Sequence, residues 1–129
     1  MRKLPYFREI RHIARNLYYC FKLKHPISLA LLCDVDVSKI PENTFFSHPI
    51  GIVIRTNVQI GENCTIGQHV TIGQRKYEPD GAIIGSNVLI CAHTLILGDV
   101  AIGDNAIIGA GALVLKDVPA GKVVVGVWK

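Results

Sequence analysis

The residue best suited to chemistry lies in one short segment, F-F-S-H-P-I-G-I-V-I at residues 45–54. His48 is one of five histidines, and it stands beside a Pro-Ile-Gly turn. A neutral imidazole can accept the proton of a hydroxyl group while that hydroxyl attacks an electrophilic carbon. The first question is therefore which elements could hold the His48 ring beside a substrate.

An aliphatic residue recurs at every sixth position from the end of this segment onward. The hits are Ile54, Ile60, Ile66, Ile72, Ile84, Ile90, Ile96, Ile102, Ile108 and Val114. Glycine often follows the aliphatic residue, and a small or β-branched residue lies four positions after it. Neither an α-helix nor an alternating strand has this period. Because six residues cannot bury their own side chain, the units must stack around one core, which predicts an all-β solenoid.

One slot of the repeat is charged. Six residues after Ile72 comes Glu78, and the phase resumes at Ile84. Residues 74–81, Q-R-K-Y-E-P-D-G, are therefore predicted to form a loop extruded from the coil. This loop is either a solvated excursion or a flap over a binding site between subunits.

The beginning of the chain differs in kind from the repeat. Apolar residues at three- and four-residue steps predict a short amphipathic helix from about residue 6 to residue 24. Residues 1–26 carry a net charge of +6, whereas the remainder carries −2. The helix is expected to cap the open end of the solenoid, with peripheral contact to an anionic membrane as the sharper alternative. Because the charge is confined to this arm, nucleic acid is not an expected partner.

Composition places the chain among globular proteins. Its 129 residues suit one domain, and 50% hydrophobic with 19% charged residues is not the composition of a disordered chain. The sequence shows no apolar run of membrane-spanning length and no secretory signal. The four cysteines contain no C-x-x-C pair, which favours reduced thiols and a cytoplasmic location.

The unit Ile-Gly-x-x-small-x resembles that of the hexapeptide-repeat acyltransferases. The resemblance implies a single-stranded left-handed parallel β-helix with three hexapeptides in each 18-residue coil. Residues 1–33 would then be the N-terminal helical cap and residues 34–129 the acyltransferase domain. Coils would begin near Ile54, Ile72, Ile90 and Ile108. A homotrimer is also implied, since members of this family build their sites between neighbouring subunits.

Within that family the F-S-H-P-I-G-I-V-I segment is most similar to serine O-acetyltransferases and related enzymes of polysaccharide biosynthesis. The similarity implies that His48 is the base in a direct transfer of acetyl from acetyl-CoA to a hydroxyl. The family's supporting aspartate corresponds best to Asp34, with Asp36 as the alternative. In the serine enzymes a histidine of the extruded loop helps to hold the amino acid, but residues 74–81 contain no histidine. The acceptor is therefore either serine or a sugar hydroxyl.

The segment I-G-A-G-A-L-V-L-K-D-V-P at residues 108–119 resembles the part of these enzymes that contacts CoA. The resemblance implies donor contacts at Ala92, Ala110, Leu115 and Lys116. Small side chains let a thin chain approach the backbone, and a lysine binds phosphate as a point charge. The glycines and alanines could equally be corner residues of the repeat.

Two further hypotheses concern zinc and a purely structural role. Gamma-class carbonic anhydrases share the implied fold and bind zinc through three histidines. His48, His69 and His93 are separated by 21 and 24 residues rather than by 18, so no pair is expected to stack and no metal site is predicted. The structural alternative is a non-catalytic scaffold, against which the His48 segment argues.

Overall fold

The computed structural model describes residues 5–77 and 79–129. Helix α1 spans Pro5–Lys22, helix α2 spans Ile27–Leu31, and a single 3₁₀ turn spans Val37–Lys39. Short strands follow throughout the described part of the chain: β1 Phe45–Phe46, β2 Val53–Ile54, β3 Gln59–Ile60, β4 Thr65–Ile66, β5 Thr71–Gly73, β6 Ile83–Ile84, β7 Leu89–Ile90, β8 Leu95–Leu97, β9 Ala101–Ile102, β10 Ile107–Ile108, β11 Leu113–Val114, β12 Val123–Val124 and β13 Val127–Trp128.

The strands wind in rotation around three sheets. Sheet I has the order β1-β4-β7-β10-β12, sheet II has β2-β5-β8-β11-β13, and sheet III has β3-β6-β9. Every strand pair is parallel. A chain that visits three sheets in turn and then returns to the first forms a parallel β-helix with three faces. The parallel solenoid expected from the six-residue period is therefore present.

The interior is filled by the residues that define the repeat. In most strands the first residue points outward and the second is buried. The residues four positions after the aliphatic ones are buried as well: Val58, Cys64, Val70, Val88, Thr94, Val100, Ala106, Ala112 and Val118. Thr94 is the polar member of this set, and its hydroxyl donates to the Cys91 carbonyl at 2.8 Å. Each buried aliphatic side chain contributes about 1.5–3 kcal/mol to folding, so the repeat is also the source of stability.

The register corrects the predicted positions of the coils. Ile54 pairs with Ile72, eighteen residues later, but Ile72 pairs with Ile96, twenty-four residues later. The extruded loop between β5 and β6 adds six residues to this coil without adding a strand. Glu78, within the loop, lies outside the described residues. The prediction that coils begin at Ile90 is wrong for this reason. Ile90 instead pairs with Ile66 in sheet I.

The same shift applies to the last predicted coil. Ile108 pairs with Ile90 in sheet I, so it also fails to start a coil in sheet II. The residue that follows Ile96 in sheet II is Val114, eighteen positions later. Counting from Ile54, the coils therefore begin at Ile72, Ile96 and Val114.

Helix α1 packs on the first coil through a polar side chain. The fully buried Asn16 amide donates to the Val35 carbonyl at 2.8 Å and accepts from the Val37 N–H at 3.3 Å. Cys20 is buried one turn later. Most of the described residues of the apolar stripe are exposed, although Leu17 packs against the core. The helix therefore meets the solenoid chiefly with a different face from the expected one. No helix among the described residues is both long and apolar enough to cross a bilayer.

Candidate active site

His48 lies where the chain turns from sheet I to sheet II. We call the turns at this edge, residues 47–52, 67–70, 91–94 and 109–112, the histidine corner. Six residues form the first turn, whereas four form each of the other three. His48 belongs to this longer turn, its side chain is exposed, and its ring has no hydrogen bond to the residues that the structure describes. The ring is therefore open to a substrate.

Two further histidines stack at the same corner. The rings of His69 and His93 are 5.0 Å apart between centroids and 16° from parallel. The prediction that no histidine pair stacks is wrong, because the extruded loop makes the coil between them 24 residues long. The 24-residue spacing, set beside the loop, was the sequence signal that could have revealed the pair.

Gly51 fixes where this stack lies. It has a φ of +63°, and a Cβ placed on it would overlap the His69 ring. The absence of a side chain at Gly51 therefore lets the His69 ring pack against the turn that contains His48. The His93 ring lies against His69, so the corner presents three imidazoles on successive coils.

The two candidate carboxylates differ sharply in their surroundings. Asp34 extends sheet II beside β2, where its N–H donates to the Ile52 carbonyl at 2.8 Å and its carbonyl accepts from the Ile54 N–H at 2.9 Å. Its side chain is exposed and has no partner among residues 5–77 and 79–129. No direct contact joins it to His48 in the described structure. Its strand nevertheless runs beside the segment that leaves the His48 turn.

Asp36 is already engaged elsewhere. One of its oxygens accepts the Ser38 hydroxyl at 2.5 Å and the Ser38 N–H at 3.3 Å, which caps the 3₁₀ turn. The other oxygen lies 3.6 Å from the Arg15 guanidinium of α1. Asp36 therefore ties the helical cap to the first coil.

Ala92 and Ala110 are brought together with the histidines. The Gly111 N–H donates to the Ala92 carbonyl at 2.9 Å, so the two alanines occupy equivalent places on successive coils. Ala110 is exposed, and a Cβ built on Gly111 would meet nothing within 4 Å. The backbone here borders open space, which would suit the approach of a narrow chain.

Leu115 and Lys116 lie at the other edge of sheet II, directly after β11. They border a cavity of about 490 Å³ together with Asp117 and Trp128. The Lys116 Nζ stands 4.8 Å from the centroid of the Trp128 ring, whose Nε1 donates to the Asp117 carbonyl at 2.9 Å. The expected donor residues therefore form two groups, one on each side of β11.

Comparison with known proteins identifies the repeat. The family described as bacterial transferase hexapeptide (six repeats) matches residues 81–116. The repeat in residues 81–116 is therefore similar to that of the hexapeptide transferases. No curated protein sequence matches it significantly.

Several solved structures of serine acetyltransferases resemble this one. The enzyme of Neisseria gonorrhoeae in complex with serine is 30% identical with a TM-score of 0.71, over 93% of this chain and 54% of that one. The soybean enzyme complexed with serine is 34% identical with a TM-score of 0.63, over 89% and 51%. A serine acetyltransferase in complex with cysteine is 28% identical with a TM-score of 0.72, over 93% and 54%. This chain thus spans about half the length of these three relatives.

The histidine corner also bears on the metal hypothesis. Within residues 5–77 and 79–129 no three histidine, cysteine, aspartate or glutamate side chains converge on one point. The stacked pair of His69 and His93 offers two imidazoles, fewer than the three protein ligands of a catalytic zinc.

Proposed function

We propose that this chain transfers an acetyl group from acetyl-CoA to an alcohol, with His48 as the general base. The proposal assumes a left-handed β-helix and a homotrimer, as the resemblance to the serine enzymes implies. The observation that carries it is the position of the exposed His48 ring, in a lengthened turn at the same corner as Ala92 and Ala110. The serine acetyltransferase neighbours support the reaction class.

The proposed reaction is a direct displacement. His48 accepts the proton of the acceptor hydroxyl while the oxygen forms a bond to the acetyl carbon. The carbon–sulfur bond of the thioester then breaks, and the thiolate takes the proton back from the imidazolium. Backbone N–H groups at the corner could stabilise the oxyanion, and positioned proton transfer of this kind contributes about 10²–10⁴ in rate.

Asp34 is the carboxylate that we assign to His48. A group that orients an imidazole must have its oxygens available, and those of Asp36 are held by Ser38 and Arg15. Asp34 is exposed and uncommitted, and it lies in the strand beside the segment that leaves the His48 turn. The assignment requires the Asp34 carboxylate to reach the His48 ring, either within one subunit or from a neighbouring one.

The donor would run across sheet II from one group of expected contacts to the other. Ala92 and Ala110 leave the backbone accessible for the amides of pantetheine, and Lys116 supplies a positive charge for phosphate. Ala110 and Leu115 are five residues apart, so at most about 17 Å of extended chain separates them. An extended donor could reach both groups.

The acceptor is either serine or a sugar hydroxyl. The neighbours in complex with serine favour the amino acid. The loop at residues 74–81 contains no histidine to hold an amino acid, which favours a sugar. His69 and His93 could instead contact a polyhydroxyl acceptor, since both rings are exposed beside the His48 turn.

An acceptor panel tests the proposed function. The purified protein is incubated with acetyl-CoA and either L-serine or one of several free sugars and nucleotide sugars, and release of the CoA thiol is followed. We expect release that depends on one acceptor class and yields the acetylated product by mass spectrometry. Release with neither class, from protein shown to be folded by circular dichroism, would favour the non-catalytic scaffold.

A further inference from the structure

The two helices of the cap present an unusual apolar surface. On α1 the side chains of Ile10, Ile13, Tyr18 and Phe21 are exposed, and Phe21 is 89% exposed. On and just after α2 the same holds for Ile27, Leu31 and Leu32. We call these seven residues the apolar face. Single exposed apolar residues are common, but a cluster on adjoining elements indicates an interaction surface.

Helix α1 has three distinct sides. The buried Asn16 and Cys20 face the first coil. Around the circumference of α1, at 100° per residue, the α1 residues of the apolar face lie next to the side that contacts the first coil. Arg11, Arg15 and Lys22 follow beyond it, so they border the apolar face along one edge. A helix that only capped the solenoid would need the first side but neither of the other two.

The charge around the apolar face has one dominant sign. Among residues 5–22 the acidic side chain is Glu9 alone. Arg15 lies near Asp36, while Lys24 lies 3.5 Å from Glu42 in an exposed pair that water and salt weaken. Two copies meeting through this face would bring positive edges together. An anionic surface would gain from the same charges.

We propose that the apolar face and its basic edge bind the surface of an anionic phospholipid membrane. The 18 residues of α1 would lie in the plane of the interface, with the apolar side chains among the acyl chains and the cations at the headgroups. Aromatic residues such as Tyr18 and Phe21 suit this depth. The proposal concerns the cap alone and does not depend on the acetyl-transfer proposal.

Vesicle sedimentation tests the inference on the full chain. The probes are vesicles of phosphatidylcholine alone and of phosphatidylcholine mixed with phosphatidylglycerol. We expect binding to the mixed vesicles that weakens with added salt. The double variant Ile10→Ser/Phe21→Ser and the double variant Arg11→Glu/Lys22→Glu should each reduce it by about tenfold or more.

The matched control is Ile83→Ser, which removes an exposed isoleucine from sheet III and should leave binding unchanged. Circular dichroism establishes that each variant is folded. Failure of the wild type to bind anionic vesicles, or equal binding by all variants, would overturn the proposal. So would sedimentation velocity showing that Ile10→Ser/Phe21→Ser dissociates an assembly, since the apolar face would then contact a second copy.

Discussion

Two corners of the β-helix make turns with the same backbone conformation but with different residues. Each turn needs one residue in the left-handed region. At the turns from sheet III to sheet I, which we call the asparagine corner, the positions are filled by Asn63, Asn87, Asn105 and Gly121. At the histidine corner they are filled by Gly51, His69, His93 and Gly111.

At the asparagine corner, polar groups of successive turns form hydrogen bonds with each other. The Asn87 N–H donates to the Glu62 carbonyl at 2.8 Å, and the Asn105 N–H donates to the Ser86 carbonyl at 2.9 Å. A side chain closes the next contact, since Asp104 accepts from the Ser86 N–H at 2.7 Å. These contacts satisfy the backbone of the turns.

The histidine corner has the same backbone contacts and different side chains. The His69 N–H donates to the Ile50 carbonyl, and the His93 N–H donates to the Gln68 carbonyl, each at 2.9 Å. Asparagine is among the residues that best tolerate the left-handed region, so the turns alone do not call for imidazoles. Backbone geometry is therefore common to both corners, and the corners differ in the side chains that they present.

The first prediction compares two glycines of the histidine corner. Both Gly51→Ala and Gly111→Ala place a Cβ at positive φ, which costs roughly 1–2 kcal/mol. Gly51→Ala should lose about 1–3 kcal/mol more, because the added methyl overlaps the His69 ring whereas Gly111 faces open space. Urea unfolding of both variants measures the difference. Equal free energies of unfolding would show that His69 does not depend on Gly51.

The second prediction compares the two aspartates. Asp34→Asn should lower kcat by about tenfold to a hundredfold without changing stability, because it removes the charge that would support the His48 imidazolium. Asp36→Ala should instead lower the free energy of unfolding by about 1 kcal/mol and leave kcat unchanged, because it removes the oxygen that caps the 3₁₀ turn. Steady-state kinetics and urea unfolding on both variants decide. The reverse pattern would assign Asp36 to the histidine.

The third prediction compares left-handed residues across the two corners. His69→Gly should raise the KM for the acceptor by about fivefold, equivalent to one hydrogen bond, while kcat changes less. Asn87→Gly is the matched control, since it also replaces a left-handed residue by glycine, at the other corner. If both variants shift KM equally, the effect comes from the backbone rather than from the imidazole.

The smallest effect concerns stability against pH at the cap. Burial lowers the pKa of His25, so the folded state resists protonation of a ring that the unfolded chain protonates near pH 6.5. The unfolded state then binds more protons, and stability should fall as pH drops below that value. Urea unfolding at about pH 7.5 and about pH 5.5 should show this loss in the wild type and a smaller loss in His25→Gln. An identical loss in both proteins would assign the pH dependence to other groups.

The sequence predicted which residues point into the β-helix but not the residues at which its coils begin. A strict six-residue phase fixes which residues point inward, and the buried Ile66, Ile90 and Ile108 follow it. The six-residue period cannot show whether the residue twelve positions after Ile72 lies in the next sheet or in the one after it. The residue is in phase with the repeat in both cases. That ambiguity displaced the coil starts and hid the stack of His69 on His93.

The sequence also predicted the cap helix but not its orientation. Apolar periodicity located α1 correctly and suggested that its apolar stripe would meet the solenoid. The buried contact of the Asn16 amide with Val35 and Val37 is one that a hydrophobic pattern cannot reveal. For the site, His48 was singled out by its segment. The choice between Asp34 and Asp36 needed the contacts that only the structure supplies.

The central claim is that the histidine corner performs proton transfer, and the kcat of His48→Ala tests it most directly. We expect His48→Ala to lower the rate of thiol release with the active acceptor by about 10²–10⁴-fold, while its circular dichroism stays unchanged. Asn105→Gly, at the asparagine corner, should retain the wild-type rate. A His48→Ala protein as active as the wild type would contradict the account.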